Sequence, residues 1–174
     1  MHKQKLAIAI AMTLGLFACN PSSTTETQTA KEIEVKQLVS ESEKAKKLFQ
    51  AYFEELAQRN PVYATYVGIN QYNDKFNTPI NAESLADDLA FQQKYLDKIL
   101  EIDATKLTGQ ALLSYQIFLR DRKLDIKGTQ FPSHYIPLHQ MGGAHSSFAS
   151  LGSGQSAQPF NTAQDYRNFM SRAE

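Results

Sequence analysis

Few residues in this chain are of a type and spacing that could do chemistry. His134, His139 and His145 fall within twelve residues of one another, so imidazole ligation of a metal is the first possibility. Zinc sites, however, set their histidines at helical spacing as in H-E-x-x-H, or add cysteines, and these do neither. No Asp or Glu stands between Gly128 and Thr162 to complete such a set. Ser150-Leu151-Gly152-Ser153-Gly154 is rich in serine and glycine but lacks the G-x-S-x-G order of a nucleophile elbow. The adjacent carboxylates Asp87-Asp88 and Glu54-Glu55 point apart on a helix and read as solvated faces. No catalytic residue and no metal ligand is therefore assigned. One group remains, the lone thiol of Cys19.

Cys19 is preceded by a basic start (His2, Lys3, Lys5) and an apolar run from Leu6 to Ala18 broken only by Thr13 and Gly15. About 20 apolar residues are needed to cross a bilayer, and a shorter run behind a basic start predicts a secretory signal over residues 1–18. Leu16-Phe17-Ala18-Cys19 resembles the lipobox of bacterial lipoproteins, which implies cleavage before Cys19 and acylation of its sulfur and new amino group. One acyl chain holds a protein only reversibly, whereas two or three on one residue hold it for good. Asn20 stands where an Asp would mark inner-membrane retention, so the expected place is the outer membrane, facing the periplasm.

With Cys19 consumed, no disulfide is available within the chain. The 174 residues carry 18 basic and 18 acidic side chains, and no basic patch argues for nucleic acid. Ten Phe and eight Tyr supply core material in the absence of Trp.

The elements that must position any site are helical. Residues 19–32, including the Thr-rich "NPSSTTETQTAK", lack periodicity and predict a flexible polar tether. From 33 onward an all-α, bundle-like domain over 33–174 is predicted. Leu48, Phe49, Tyr52, Phe53 and Leu56 form one apolar stripe, opposite Glu43, Lys46, Lys47, Gln50 and Glu54. A short helix from Pro61 ends at Gly68, and an ordered Asn-rich loop follows. A helix capped by Asn81 or Ser84 runs to about Ile102, with Leu85, Leu89, Leu96, Ile99 and Leu100 inward. Another covers roughly Gln110–Ile126, with Leu112, Leu113, Gln116, Leu119 and Asp121 on a less clean stripe. Residues 129–161, with three Pro and four Gly, predict one long irregular loop, yet one too apolar to be a solvated linker. Its Tyr135, His139, Met141, His145 and Phe148 are the candidates to line a cleft. Thr162 and Asp165 predict a capping box for a last helix whose stripe is Tyr166, Phe169, Met170 and Ala173. That stripe requires a partner, so the domain is expected to be the front portion of a larger, mostly helical protein, truncated at its C-terminal side.

Three stretches then carry a resemblance. "NPVYATYVGINQYNDK" (60–75), "LTGQALLSYQIFLRD" (107–121) and "YIPLHQMGGAHSSFASL" followed by "PFNTAQDYRNFMSR" resemble, in order and spacing, the opening third of bacterial domain-of-unknown-function family 885 proteins. The matching positions are Pro61, Ala64, Thr65 and Gly68; Pro137, Leu138, Gln140 and Gly143; and Phe160, Thr162, Asp165 and Tyr166. The resemblance implies a lipoprotein similar to gluzincin-type metallopeptidases, with zinc held by a downstream H-E-x-x-H helix. This chain contains no His-Glu dipeptide, so no catalytic residue carries over, and no cofactor is expected in this chain itself. The expectation is a lipid-anchored N-terminal portion, inactive alone, whose partners are membrane lipid, the missing catalytic region and a peptide substrate. The other expectation is a small helical envelope lipoprotein that binds without catalysis. Replacing Cys19 by Ser is expected to abolish metabolic labelling with palmitate and move the chain out of the membrane fraction; retained label would refute acylation there.

Overall fold

The computed structural model describes residues 22–77, 80–136, 138–139 and 142–173, so the signal over 1–18 and Cys19 lie outside the described residues. The chain divides into two units, residues 1–36 and 37–174. In order, the elements are α1 (Ser22–Arg59), α2 (Pro61–Tyr66), a 3-10 turn (Asn70–Tyr72), α3 (Ala82–Leu100), a second such turn (Ala104–Lys106), α4 (Gly109–Gly128), a third (Ser133–Tyr135), β1 (Leu138–His139), β2 (Gly142–Gly143), α5 (Ala144–Leu151) and α6 (Ala163–Ser171). The fold is all-α, as predicted; β1 and β2 pair only as a two-residue antiparallel ladder. Among the described residues no helix is long and apolar enough to cross a membrane.

The first unit differs from expectation in one respect. Residues 22–32 are not irregular but helical, the first turns of α1. Residues 31–36 are all exposed, Ile33 and Val35 among them. Missing periodicity rules out a packed face, but it does not rule out backbone hydrogen bonds propagating along a helix already nucleated.

Helix ends in the second unit follow local chemistry. The Asn81 side chain accepts from the Ser84 amide at 2.7 Å and starts α3. Thr162 and Asp165 form the reciprocal box at α6: the threonine hydroxyl accepts from the Asp165 amide, and the carboxylate accepts from the Thr162 amide at 2.8 Å. After α2 the chain turns at Gly68, whose φ of +84° suits a residue without Cβ. The Ile69 amide then returns to the Ala64 carbonyl at 2.8 Å.

The core lies among α1, α3, α4 and the turn joining α3 to α4. Ala45, Ile99, Ile102, Leu107 and Tyr115 are buried at its centre, with Leu48, Phe49, Leu112, Phe118 and Leu119 packed around them. The α1 stripe is as expected, whereas α3 is rotated. Phe91, Gln92, Tyr95 and Ile99 face inward, one turn apart, while Leu89 and Leu100 are exposed. On α4 the inner face is Tyr115, Phe118, Leu119 and Arg122, while Leu113 and Gln116 are exposed. Tyr52 explains the choice. Its ring lies 5.2 Å from Phe91, 5.0 Å from Tyr95 and 5.0 Å from Phe118, so one aromatic residue of α1 meets three rings on two helices.

The segment 129–161 is the second correction. Within it lie the third 3-10 turn, the short ladder and α5, so it is not one long irregular loop. Its Pro and Gly residues cluster outside Ala144–Leu151, leaving eight residues free to form two turns of helix. α5 ends on the fully buried Leu151. Its Phe148 stacks on Phe169 at 5.0 Å and meets Phe76 edge-on at 5.6 Å, which holds α5 to α6. Gly152 is needed where the two helices approach, because a Cβ there would fall 2.6 Å from the Phe169 ring. Gly152→Ala is therefore expected to cost about 1–3 kcal/mol through forced displacement of that ring. Urea unfolding measures this, and an unchanged midpoint would mean that Phe169 does not pack there.

Candidate functional site

The residues singled out in segment 129–161 do not converge. Tyr135 is 76% exposed, with its ring 4.4 Å from His134. His145 is exposed on α5, and Phe148 turns inward to the aromatic cluster with Phe76 and Phe169. The His139 side chain and Met141 lie outside the described residues. Thus Phe148 serves packing, and Tyr135 and His145 stand on the surface.

A cleft forms elsewhere, between α1, α3 and the C-terminal end of α4. Its volume is about 530 Å³. Tyr52 and Leu56 come from α1, Leu85, Asp88 and Gln92 from α3, Leu124 and Asp125 from α4, and Phe131 and His134 from the chain just beyond. Asp88 and Gln92 are one turn apart on α3 and so share a face. Leu124 and Asp125 stand three to four residues before the end of α4, whose terminal carbonyls contribute partial negative charge.

Arg122 organises these side chains. Its guanidinium lies over the Tyr52 ring, 4.2 Å from the centroid, and 5.0 Å from that of Phe118. One terminal nitrogen donates to Gln92 Oε1 at 2.5 Å and to the Tyr52 hydroxyl. The other pairs with Asp125 Oδ2 at 2.8 Å. A buried cation of this kind is tolerable because it is paired, hydrogen-bonded and stacked at once. Burial raises the Asp125 carboxyl above the ordinary aspartate range; Arg122 opposes the rise, and Asp121 and Asp88 add to it. Burial likewise raises the Tyr52 phenol, against the pull of Arg122.

Chemically, the cleft offers two carboxylates, two carboxamides (Asn60 and Gln92), the hydroxyl-bearing Tyr52, Thr129 and Ser133, and apolar walls. His134 lies in it together with two carboxylates, but among the described residues no three His, Cys, Asp or Glu side chains come together closely enough to hold a metal ion. Zinc therefore does not fit the described residues, and no step is routed through it. What this arrangement can do is bind.

Two further polar clusters tie helices together. Between α1 and α3, Glu55 accepts from Lys94 at 2.6 Å and from the Tyr95 hydroxyl at 2.9 Å. Burial alone would raise Glu55, but those hydrogen bonds bring it below the usual glutamate range. Next to this pair, Arg59 bonds Asp87 at 2.5 Å and lies over the Phe91 ring. The other cluster ties α6 to α2. Arg172, 4% exposed, donates through one nitrogen to Thr65 Oγ1 at 2.5 Å and to the Tyr72 carbonyl at 3.2 Å. Asn73 Oδ1 accepts from the Thr65 hydroxyl at 2.7 Å.

Residues 61–174, well over half the chain, match the model of a family described as "Bacterial protein of unknown function (DUF885)". No curated protein and no solved structure matches the chain.

No local signal marks the cleft in the sequence, because its polar members come from three helices and none belongs to a local motif. Its electrostatics are open to measurement. The Asp125 side-chain carboxyl carbon, followed by NMR, is expected to titrate above the ordinary aspartate value of about 3.9. Because the native state keeps this proton longer than the unfolded chain, the Asp125 contribution to stability declines as pH rises through its raised midpoint. Asp88→Asn should lower that midpoint by removing a like charge; an unchanged midpoint would show that the two carboxylates do not share one field.

Proposed function

We propose, for a chain that belongs to the DUF885 family of bacterial proteins, that it is the ligand-holding helical body of a zinc-peptidase-like envelope protein. In this reading lipid on Cys19 holds it at the membrane, residues 19–32 give it reach, and its own side chains bind rather than catalyse. The hydrolytic chemistry belongs to a second helical body carrying H-E-x-x-H, docked against it.

One observation carries this proposal. α4 is apolar on two sides. While its inner face fills the core, Leu113, Ile117 and Leu124 form an outward stripe at 49%, 44% and 55% exposure. The spacings of four and seven residues place all three on one side of the helix. Leu124 also lines the cleft, so the stripe leads into it. Burying the exposed half of each such side chain contributes about 1 kcal/mol, and a row of three favours a helical neighbour over water. A docked neighbour would bring its reactive groups to the mouth of the cleft.

The second reading is a self-sufficient binding module, and the Arg172 cluster favours it. A last helix tied by a buried guanidinium to α2 and the following turn is held by contacts within residues 61–173 alone.

Dye binding and sedimentation separate the two. The docking proposal expects the chain to take up a hydrophobic dye or self-associate. It also expects Leu113→Glu with Ile117→Glu to remove most of that uptake while leaving stability within about 0.5 kcal/mol. A monomer that melts sharply and takes up no dye would overturn docking and leave the binding module.

A further inference from the structure

We infer that residues 152–173, the strap after α5 together with α6, form a latch that opens as one unit while α1, α3 and α4 stay packed. Unmet polar groups are the key observation. Among the described residues, the side-chain nitrogens and oxygens buried without a partner belong to Gln158 and Arg172, apart from Nε of Arg122. Gln158 is 2% exposed, and neither end of its carboxamide is bonded. Arg172 is equally enclosed, and its Nε and Nη1 have no acceptor. Its hydrogen bonds all run from Nη2, and none reaches a carboxylate. Each of these groups loses its water when the latch closes and gains no bond in exchange, which is costly, most of all for the cation. Opening returns them to water.

Apolar burial offers little to oppose this. No residue of Ala163–Ser171 is buried, and Tyr166 and Met170 are largely exposed. Phe169 stacks on Phe148 of α5, but its other ring partner, Phe160, lies within the latch itself. α3, by contrast, buries Phe91, Tyr95 and Ile99. Apart from Arg172, the latch bonds the rest of the body, among the described residues, through the Ser156 and Tyr66 hydroxyls, which at 3.4 Å are too far apart for a good bond. A segment with few buried apolar contacts opens at less than the global unfolding free energy. Nor does the corner at α2 depend on the guanidinium. Without it the Thr65 hydroxyl still reaches the Pro61 carbonyl at 3.0 Å or Asn73 Oδ1 at 2.7 Å, and the Tyr72 carbonyl keeps the Lys75 amide at 3.1 Å. Arg172 therefore sets where α6 sits without holding it shut, and opening uncovers Phe148 beside that oxygen-lined corner.

The test is native-state hydrogen exchange on the full chain in detergent, at low denaturant. The α6 amides from Tyr166 to Ser171 are expected to exchange through one shared opening, at least about tenfold faster than those of Phe91–Ile99. Arg172→Met keeps an unbranched side chain and removes the unmet charge, so it should slow α6 exchange about tenfold. A guanidinium that held the latch shut would give the reverse. Unchanged or faster α6 exchange in that variant would overturn the inference, as would α6 amides no faster than those of α3 in the unaltered chain. Should Arg172→Met fail to fold, Gln158→Leu takes its place, with the same slowing expected and the same results counting against the latch.

Discussion

The stack of Arg122 on Tyr52 is the interaction on which the rest of the structure depends. Tyr52 of α1 meets rings of both α3 and α4, and Arg122 covers it from α4. Taking a guanidinium out of water costs several kcal/mol unless its hydrogen bonds and charge are met. Here most of the cost is offset by groups from all three helices, the Tyr52 hydroxyl, the Gln92 oxygen and the Asp125 carboxylate, while Nε is buried without a partner among the described residues. Because each helix supplies a partner, a shift of any one would leave the charge short of a contact. The same requirement forms the floor of the cleft. Arg122 turns Gln92 so that its amide faces away from the core, and it holds Asp125 at the edge.

Arg172 repeats the device at the other end of the domain, with a different balance. Its partners are a hydroxyl, backbone carbonyls and a carboxamide, with no carboxylate bonded to it among the described residues. Burial lowers its pKa, with Asp74 opposing from nearby. Nε and Nη1 are buried without partners, so the contact is not an efficient source of stability. What it supplies is uniqueness. Only one placement of α6 brings a guanidinium to the oxygen-lined corner made by Pro61, Thr65, Tyr72 and Asn73, and this gives a physical reason for the Pro-x-x-Ala-Thr-x-x-Gly pattern around α2. Thr65 donates or accepts at the centre of that corner, and Gly68 turns the chain to bring Tyr72 and Asn73 round to it.

Much of this was legible in the sequence wherever one residue and its near neighbours decide the outcome. Asn81, Gly68 and the Thr162–Asp165 pair act within four or five positions, and each marks the boundary expected. The stripe of α1 is equally local. On α3 the leucines are the more apolar choice by composition, yet Phe91 and Tyr95 have ring partners on α1 and Leu89 and Leu100 do not. α5 was hidden because counting Pro and Gly across 33 residues averages away an eight-residue gap between them. Arg122 and Arg172 were hidden because a charged residue is surface by default, and burial is set by partners 30 to 111 positions away. The cleft inherits that difficulty, since Tyr52, Gln92 and Asp125 are distant in sequence and converge only through packing.

A helix packed on one side separates apolar from polar residues cleanly; α4 does not, having Tyr115, Phe118 and Leu119 inward and Leu113, Ile117 and Leu124 outward. Weak amphipathicity with a well-formed core is what a helix contacted on both sides requires. Arg120, three residues after Ile117 and four before Leu124, shares that side of the helix, and it pairs with Asp121 at 2.9 Å, which reduces the isolated charge presented next to the stripe. Such a surface is ill suited to permanent exposure and well suited to a helical neighbour. The stripe ends at Leu124 on the wall of the cleft, so a neighbour covering the stripe would also border the cleft.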